Sequence, residues 1–455
     1  MENTELKKST GIPLQPARLP FFYGWIILFV GIAGMMMSIP GQTMGVSVFT
    51  DDLIKVLGMS RVRLSLAYMI GTVMSALILT PAGRRLDRYG SRAVGSVIVL
   101  LLGLVLILMS FLDHITAAAG RFGHPAVSAF VVITIAFFMM RFLGQGMLAM
   151  ISRTMVMKWF DRQRGMANAV MGIFVSFGFS LAPRLLNGMI EDGGWSGAWR
   201  GLGIGMLSVG FVVFLLLSRD NPFECGMKPD SSLKLVSRKK RPAGHPDHDF
   251  TLEEARRTLP FWIFGLTLGM QAMFVTAVTF HIVSLFGAAG MDRQMAIGIF
   301  LPASIISVAV NFSVSMISDY IKLRYILIMH QAGLMLCMFF FSSLAPGMHY
   351  FLVLISYGFI SGLFNITTSI VWPRYYGIKH LGAISGMAMG FMVAGSAVGP
   401  YFFSMINRFT GSYSAACIIS LAVMAVLFVF GFRVKRPVHP SAGASGSSAA
   451  GQASD

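Results

Sequence analysis

Twelve runs of mostly apolar residues, each about 20 long, divide this chain, and they constrain its fold more than any other feature. They fall at roughly 22–48, 62–82, 93–112, 127–150, 165–190, 199–217, 259–287, 294–317, 325–345, 349–371, 382–406 and 412–432. A run of that length crosses a bilayer as a helix, because a helix satisfies its own backbone groups where no water can. Only 12% of the 455 residues are charged, about half the ~25% of soluble domains, so a charged shell cannot be built. A hydrophobic content of 55% excludes disorder. The first run is long, follows a polar leader and has no small-residue cleavage site after it, so it does not read as a cleavable signal. The prediction is an all-α membrane protein with 12 transmembrane helices in two pseudo-symmetric six-helix halves.

The polar remainder sets the expected organisation. Residues 1–21 form an N-terminal segment, 22–217 the first six-helix half and 218–258 a central linker. Residues 259–432 form the second half and 433–455 a Ser/Ala/Gly-rich tail expected to be disordered. The linker holds Pro222, Pro229, Pro242 and Pro246 and the basic cluster Arg238-Lys239-Lys240-Arg241.

The formal net charge of +17 raises the possibility of nucleic-acid binding, and the position of the charges removes it. With the N-terminus inside, 27 Lys and Arg fall on inner segments and 7 on outer ones, while Arg141 and Arg184 lie within runs. That bias orients a membrane protein and predicts two cytoplasmic termini in a multi-pass plasma membrane of bacterial inner-membrane type. No nucleic-acid partner is expected; the lipid bilayer is.

A repeat relates the halves. Gly83-Arg-Arg-Leu-Asp87-Arg88-Tyr-Gly90-Ser-Arg92 follows the second run, and Ser318-Asp319-Tyr-Ile-Lys322-Leu-Arg324 follows the eighth. A second echo pairs Lys158-Trp159-Phe160…Arg164-Gly165 with Trp372-Pro373-Arg374-Tyr375…Gly377…Gly382. Duplicated halves are typical of secondary transporters.

These residues carry a resemblance. Gly83-x3-Asp87-Arg88-x-Gly90-x-Arg92 resembles the loop 2–3 signature of the major facilitator superfamily, with Asp319 and Arg324 as its reduced second copy. Twelve spans, the long central loop and Arg141-Phe-Leu-Gly144-Gln-Gly146 agree with it. The resemblance implies alternating access, a cavity lined by spans 1, 4, 7 and 10, and a gating network in the loop motif. Tyr23-Gly24-Trp25, Asn221-Pro222-Phe-Glu224 and Pro373-Arg-Tyr-Tyr-Gly377 are similar to the oxalate/formate antiporter and monocarboxylate transporter branch, which carries small organic anions. That branch usually has a cation in the C-terminal spans; here spans 7–12 hold Lys or Arg only near their ends.

From residue chemistry alone, Arg88 and Arg92 are placed to bond carbonyls at helix ends, and Asp87 to serve the start of span 3. The same cations also fit a purely topological role. Gly382, Gly386 and Gly390, then Gly395, Gly399 and Pro400, with Pro183 in span 5, read either as a rocking hinge or as static close packing.

An ionisable group at membrane depth is costly and is a functional candidate. Arg141 has two readings, contact with an anionic substrate and structural bonding within the N-terminal half. His281 suits proton coupling or a satisfied interfacial bond. Arg184 reads as snorkelling, and His330 as structural. Gln42, Thr43, Gln271, Tyr357, Ser361 and Asn365 are the polar candidates for substrate binding, the last three on one face of span 10. No Asp or Glu lies at mid-membrane, which disfavours a cation/proton antiporter.

Metal spacings, Walker A, Gly-x-Ser-x-Gly and His-Glu-x-x-His motifs are missing from the sequence, so no metal, cofactor or enzymatic activity is expected. The leading expectation is a secondary active transporter of small organic anions, drawing on protons or a counter-anion. The alternatives are a transporter or exporter of neutral or aromatic compounds, and a non-transporting receptor on the same fold.

Overall fold

The computed structural model describes residue 16 and residues 19–121, 124–230 and 249–437. Among them the regular elements are all helical. Ten stretches are long and apolar enough to cross a membrane. Two of these, Val62–Met109 and Arg164–Leu217, span 48 and 54 residues, far more than the ~20 a crossing needs. Each is broken by a glycine in left-handed backbone, Gly90 at φ 77° and Gly194 at φ 69°, where the chain turns back. The result is twelve membrane helices among the described residues.

We number them α1 (Gly24–Gly41), α2 (61–89), α3 (91–109), α4 (Pro125–Trp159), α5 (164–193), α6 (195–217), α7 (Leu259–Ala288), α8 (Gln294–Ser318), α9 (Leu323–Ser342), α10 (Met348–Tyr376), α11 (Leu381–Thr410) and α12 (Tyr413–Gly431). Short helices Thr43–Val48 and Thr50–Leu57 prolong α1, so the first apolar run continues as broken helix rather than ending in a loop. Large apolar side chains such as Leu185, Leu301 and Val429 stand more than 60% exposed on the outer surface, as a chain solvated by lipid requires.

α1–α6 and α7–α12 form two bundles. They meet along α2 with α11, α5 with α8, and α4 with α10 and α11. The end that carries the loops after α2, α4, α8 and α10 is called the basic end below. There the halves are pressed together. Within each half the same end is closed by an aromatic pair: Trp159 packs on Tyr23 with ring centroids 5.5 Å apart, and its echo Trp372 packs on Phe261 at 5.8 Å.

The described edges of the central linker are anchored. Asp230 accepts from the backbone N–H of Asp161 (3.0 Å) and Arg162 (2.6 Å), clamping the loop after α4. Asp249 accepts from Ile378 (2.8 Å) and Lys379 (3.2 Å), clamping the loop after α10. Both described edges of the central linker therefore dock on the bundle, each on its own half. The basic cluster 238–241, the leader 1–15 and the tail from residue 438 lie outside the described residues.

Candidate functional site

Arg141 lies on α4 about 24 Å from the Pro125 end and about 27 Å from the Trp159 end. Helix α4 changes there to π geometry over Arg141–Leu148, a local irregularity frequent at functional sites. The side chain is fully buried. Its Nη1 donates to Gly41 O and Thr43 Oγ1, both at 3.2 Å, and its Nη2 to Ser396 Oγ of α11 at 3.3 Å. The guanidinium also lies 5.1 Å from the Tyr68 ring centre, and the Tyr68 hydroxyl donates to the same Thr43 oxygen at 3.0 Å. Nε has no hydrogen-bond partner among the described residues. All the acceptors are neutral, and none of the described carboxylates forms an ion pair with Arg141. A buried cation without a counter-charge is several kcal/mol unfavourable. It bridges the two halves through Ser396, a partner that its sequence neighbourhood did not signal.

The other candidates divide. Thr43 joins Arg141, and Gln42 reaches back to Ser38 Oγ at 3.1 Å on its own helix. Gln271 turns away from the interface between the halves. Its Nε2 donates to Ile360 O at 2.9 Å, and its Oε1 is bonded to His330, which also meets Thr367 Oγ1 at 3.0 Å. This is a closed polar network inside the second half. Tyr357 pairs with Thr279 at 3.2 Å, and the Ser361 hydroxyl donates to its own helix at Tyr357 O. His281 contacts Pro400 O of α11 at 3.0 Å and Tyr413 of α12 at 3.5 Å, tying three helices of one half together. Asn365 accepts from Arg153 Nη2 at 3.2 Å.

Arg153 was missed. The apolar run ended near residue 150, so Arg153 counted as an inner-loop cation. Helix α4 in fact continues to Trp159, which places it inside the helix and against α10.

The loop motifs form two clasps at the basic end. Asp87 Oδ1 accepts from Gly382 N–H at 2.6 Å and Oδ2 from Ala383 N–H at 2.7 Å. Asp87 thus caps the start of α11 in the other half, not the start of α3. The Asp319 carboxylate lies against Gly165 at the start of α5, again across the halves. The cations nearest its carboxyl are Arg374 and Arg164; Arg324, paired with it in the sequence pattern, does not figure among its close charges. Arg92 Nε donates to Leu215 O at 2.7 Å at the end of α6, while Arg88 is exposed over the Tyr89 ring.

The glycine row of α11 serves two neighbours. Cβ atoms at Gly382 and Gly386 would press on the backbone oxygens of Gly83 and Leu79, and one at Gly390 would lie 3.2 Å from Ala76 O, all on α2. At Gly395 and Gly399 they would strike Gly269 O and Met273 O on α7. The first three therefore allow contact between the halves, and the last two pack α11 within its own half. Pro183 and Pro400 sit inside α5 and α11.

The sequence model of the Major Facilitator Superfamily matches residues 24–386, most of the chain. The chain belongs to that superfamily. No curated protein matches it in sequence. Among solved structures, the human organic anion transporter MFSD10 (TETRAN) superposes with a TM-score of 0.62 at 15% identity, covering 90% of this chain and 99% of that one. A bacterial homologue of the iron transporter ferroportin in an outward-facing state gives 0.61 at 13% identity, over 90% and 98% of the two chains. The proton:xylose symporter XylE bound to 6-bromo-6-deoxy-D-glucose gives 0.53 at 14%, over 90% and 95%. Identities this low speak for the fold. The major facilitator fold has a multi-pass membrane architecture, and transporters of anions, iron and sugar share it. Within this superfamily member, the interface that Arg141 and both clasps straddle is the one between the two halves.

Proposed function

We infer that this protein is a secondary active transporter of small organic anions, of monocarboxylate type, working by alternating access. Arg141 carries the reading: a fully buried guanidinium at mid-membrane, bonded to neutral oxygens of both halves and to no acid. A carboxylate supplies the missing counter-charge and accepts two parallel N–H bonds from such a group. Displacing Ser396 from Arg141 Nη2 couples substrate arrival to a contact between the halves.

The reading places the basic end in the cytoplasm with both termini, in agreement with the excess of inner cations. The Asp87 and Asp319 clasps then close the cytoplasmic side and part when the halves rock. Similarity of the loop residues to the oxalate/formate and monocarboxylate branch supports the same substrate class. Uphill flux draws on the gradient of a proton or a counter-anion, and nothing in the chain calls for a nucleotide or cofactor.

The test is uptake of labelled lactate, pyruvate, formate and oxalate into proteoliposomes, with neutral solutes as competitors. Uptake of at least one acid, inhibited by other acids and not by neutral solutes, is expected. Inhibition by neutral solutes alone would transfer the substrate to that class.

A further inference from the structure

We propose that Arg153 is a second anion-holding site, which takes the substrate carboxylate from Arg141 when the basic end opens; this rests on the organic-anion reading above. The first observation is its charge. Arg153 Nη1 donates to Ser369 Oγ at 3.0 Å and Nη2 to Asn365 Oδ1 at 3.2 Å, and its buried Nε has no partner among the described residues. No described carboxylate forms an ion pair with it, whereas two neighbouring cations on the same end are paired: Lys158 meets Asp220 at 2.8 Å, and Arg164 meets Asp161 at 3.6 Å. Neutral groups also join the halves. Between α5 and α8 the neutral amide of Asn168 does so, bonding Asn311 at 3.2 Å and Ser315 at 2.9 Å.

The second observation is register. Arg153 lies 12 residues beyond Arg141, about 18 Å nearer the basic end. In a regular α-helix the two would point about 120° apart. The π stretch Arg141–Leu148 holds an extra residue in its turn, which takes back about 100°. Both arginines consequently face the interface between the halves, one touching α11 and the other α10. The irregularity of α4 aligns two uncompensated cations on one path.

The third observation is space. Beside Arg153 is a cavity of about 20 Å³, lined among others by the polar residues Thr154, Thr368, Ser369 and Ser385. That volume fits about one water and not a carboxylate. The oxygens of Asn365 and Ser369 occupy the positions on the two Nη atoms that a bidentate carboxylate would take. They belong to α10, and parting α4 from α10 frees the guanidinium where the substrate leaves.

The experiment measures KM for pyruvate and oxalate from each face, in right-side-out and inside-out vesicles. Arg153→Gln is expected to raise KM at the basic face at least about tenfold and to leave the opposite face within about twofold. Ser369→Ala is expected to lower KM at the basic face, because it removes the competing internal acceptor, and Arg153→Lys should restore part of the loss. If Arg153→Gln and Ser369→Ala shift KM in the same direction, Arg153 is only part of the clasp and the proposal is overturned while anion transport stands. If the unmodified protein carries none of the acids, the anion reading fails and this proposal with it. Should Arg153→Gln not fold, phenylglyoxal labelling of the unmodified protein from the basic face gives an independent answer. Slowing of the Arg153 adduct at least threefold by pyruvate supports the site, and an unchanged rate overturns it.

Discussion

The clasp between α2 and α11 and the clasp between α5 and α8 use the same device with different materials. In each, an aspartate at the end of the second helix of one half sits against the first turn of the fifth helix of the other half. The helix dipole favours the negative group at that position. The echoed motifs therefore cross: the first Asp copy grips the glycine of the second Trp-containing echo, and the second Asp copy grips that of the first. Around this shared placement the two clasps differ. The α2–α11 contact is backbone on backbone, with Gly83 and Gly382 in touch, and Asp87 gives both carboxylate oxygens to N–H groups. The α5–α8 contact relies on side chains, Asn168 with Asn311 and Ser315, and Asp319 shares its surroundings with Arg374 and Arg164. The placement of a carboxylate at a helix start thus recurs in both halves, while the packing beside it differs.

The comparison is open to test through accessibility of a cysteine at Ser385, beside the cavity, in a background without Cys225, Cys337 and Cys417. The largest effect is expected for Gly382→Val. Its Cβ would lie 2.6 Å from Gly83 O and 2.7 Å from the Asp87 carboxylate, too close for α11 to seat. Labelling from the basic face should become nearly complete, and transport should fall by more than about tenfold.

Asp87→Asn comes next. It weakens two bonds that backbone N–H groups donate to a charged acceptor, a loss of about 1.5–3 kcal/mol and so a rise in labelling of about tenfold or more. Labelling unchanged by Asp87→Asn would mean that the glycine contact alone holds this clasp.

The smallest effect, and the one with a distinct pH signature, belongs to Asp319. Burial pushes its carboxyl up to about 6, against the opposing pull of Arg374 and the Gly165 N–H. Opening brings it into water and back toward the ordinary value of about 4. The closed form then binds the proton more tightly, so acid favours closure, and that bias is lost as pH rises through about 6. Labelling should rise from pH 4 to pH 6 and level off above it. Asp319→Asn should flatten that rise without the larger effect of Asp87→Asn.

The membrane helices were legible because each needs a run of apolar residues that few other structures use. The turn after α2 was legible from Gly90, and the duplication from its echoed motifs. Partners were less so. Asp87 meets residues 295 and 296 positions away, which no local pattern encodes. Gln271 seemed a cavity residue because it is polar at membrane depth, but its face of α7 points to His330 inside the half. The α11 glycines read as one row, yet the helix turns between Gly390 and Gly395 and presents them to different neighbours. Arg141 was visible because an arginine amid apolar residues is conspicuous. Arg153 was hidden by the polar residues around it.

The central claim is that Arg141 supplies the positive charge for an anionic substrate. Pyruvate and oxalate uptake in proteoliposomes holding equal amounts of unmodified protein, Arg141→Lys and Arg141→Gln tests it most directly. The expected result is uptake abolished by Arg141→Gln and partly retained by Arg141→Lys, with the clasps still closing the basic end by Ser385 cysteine labelling. Full anion uptake by a folded Arg141→Gln protein would contradict the claim.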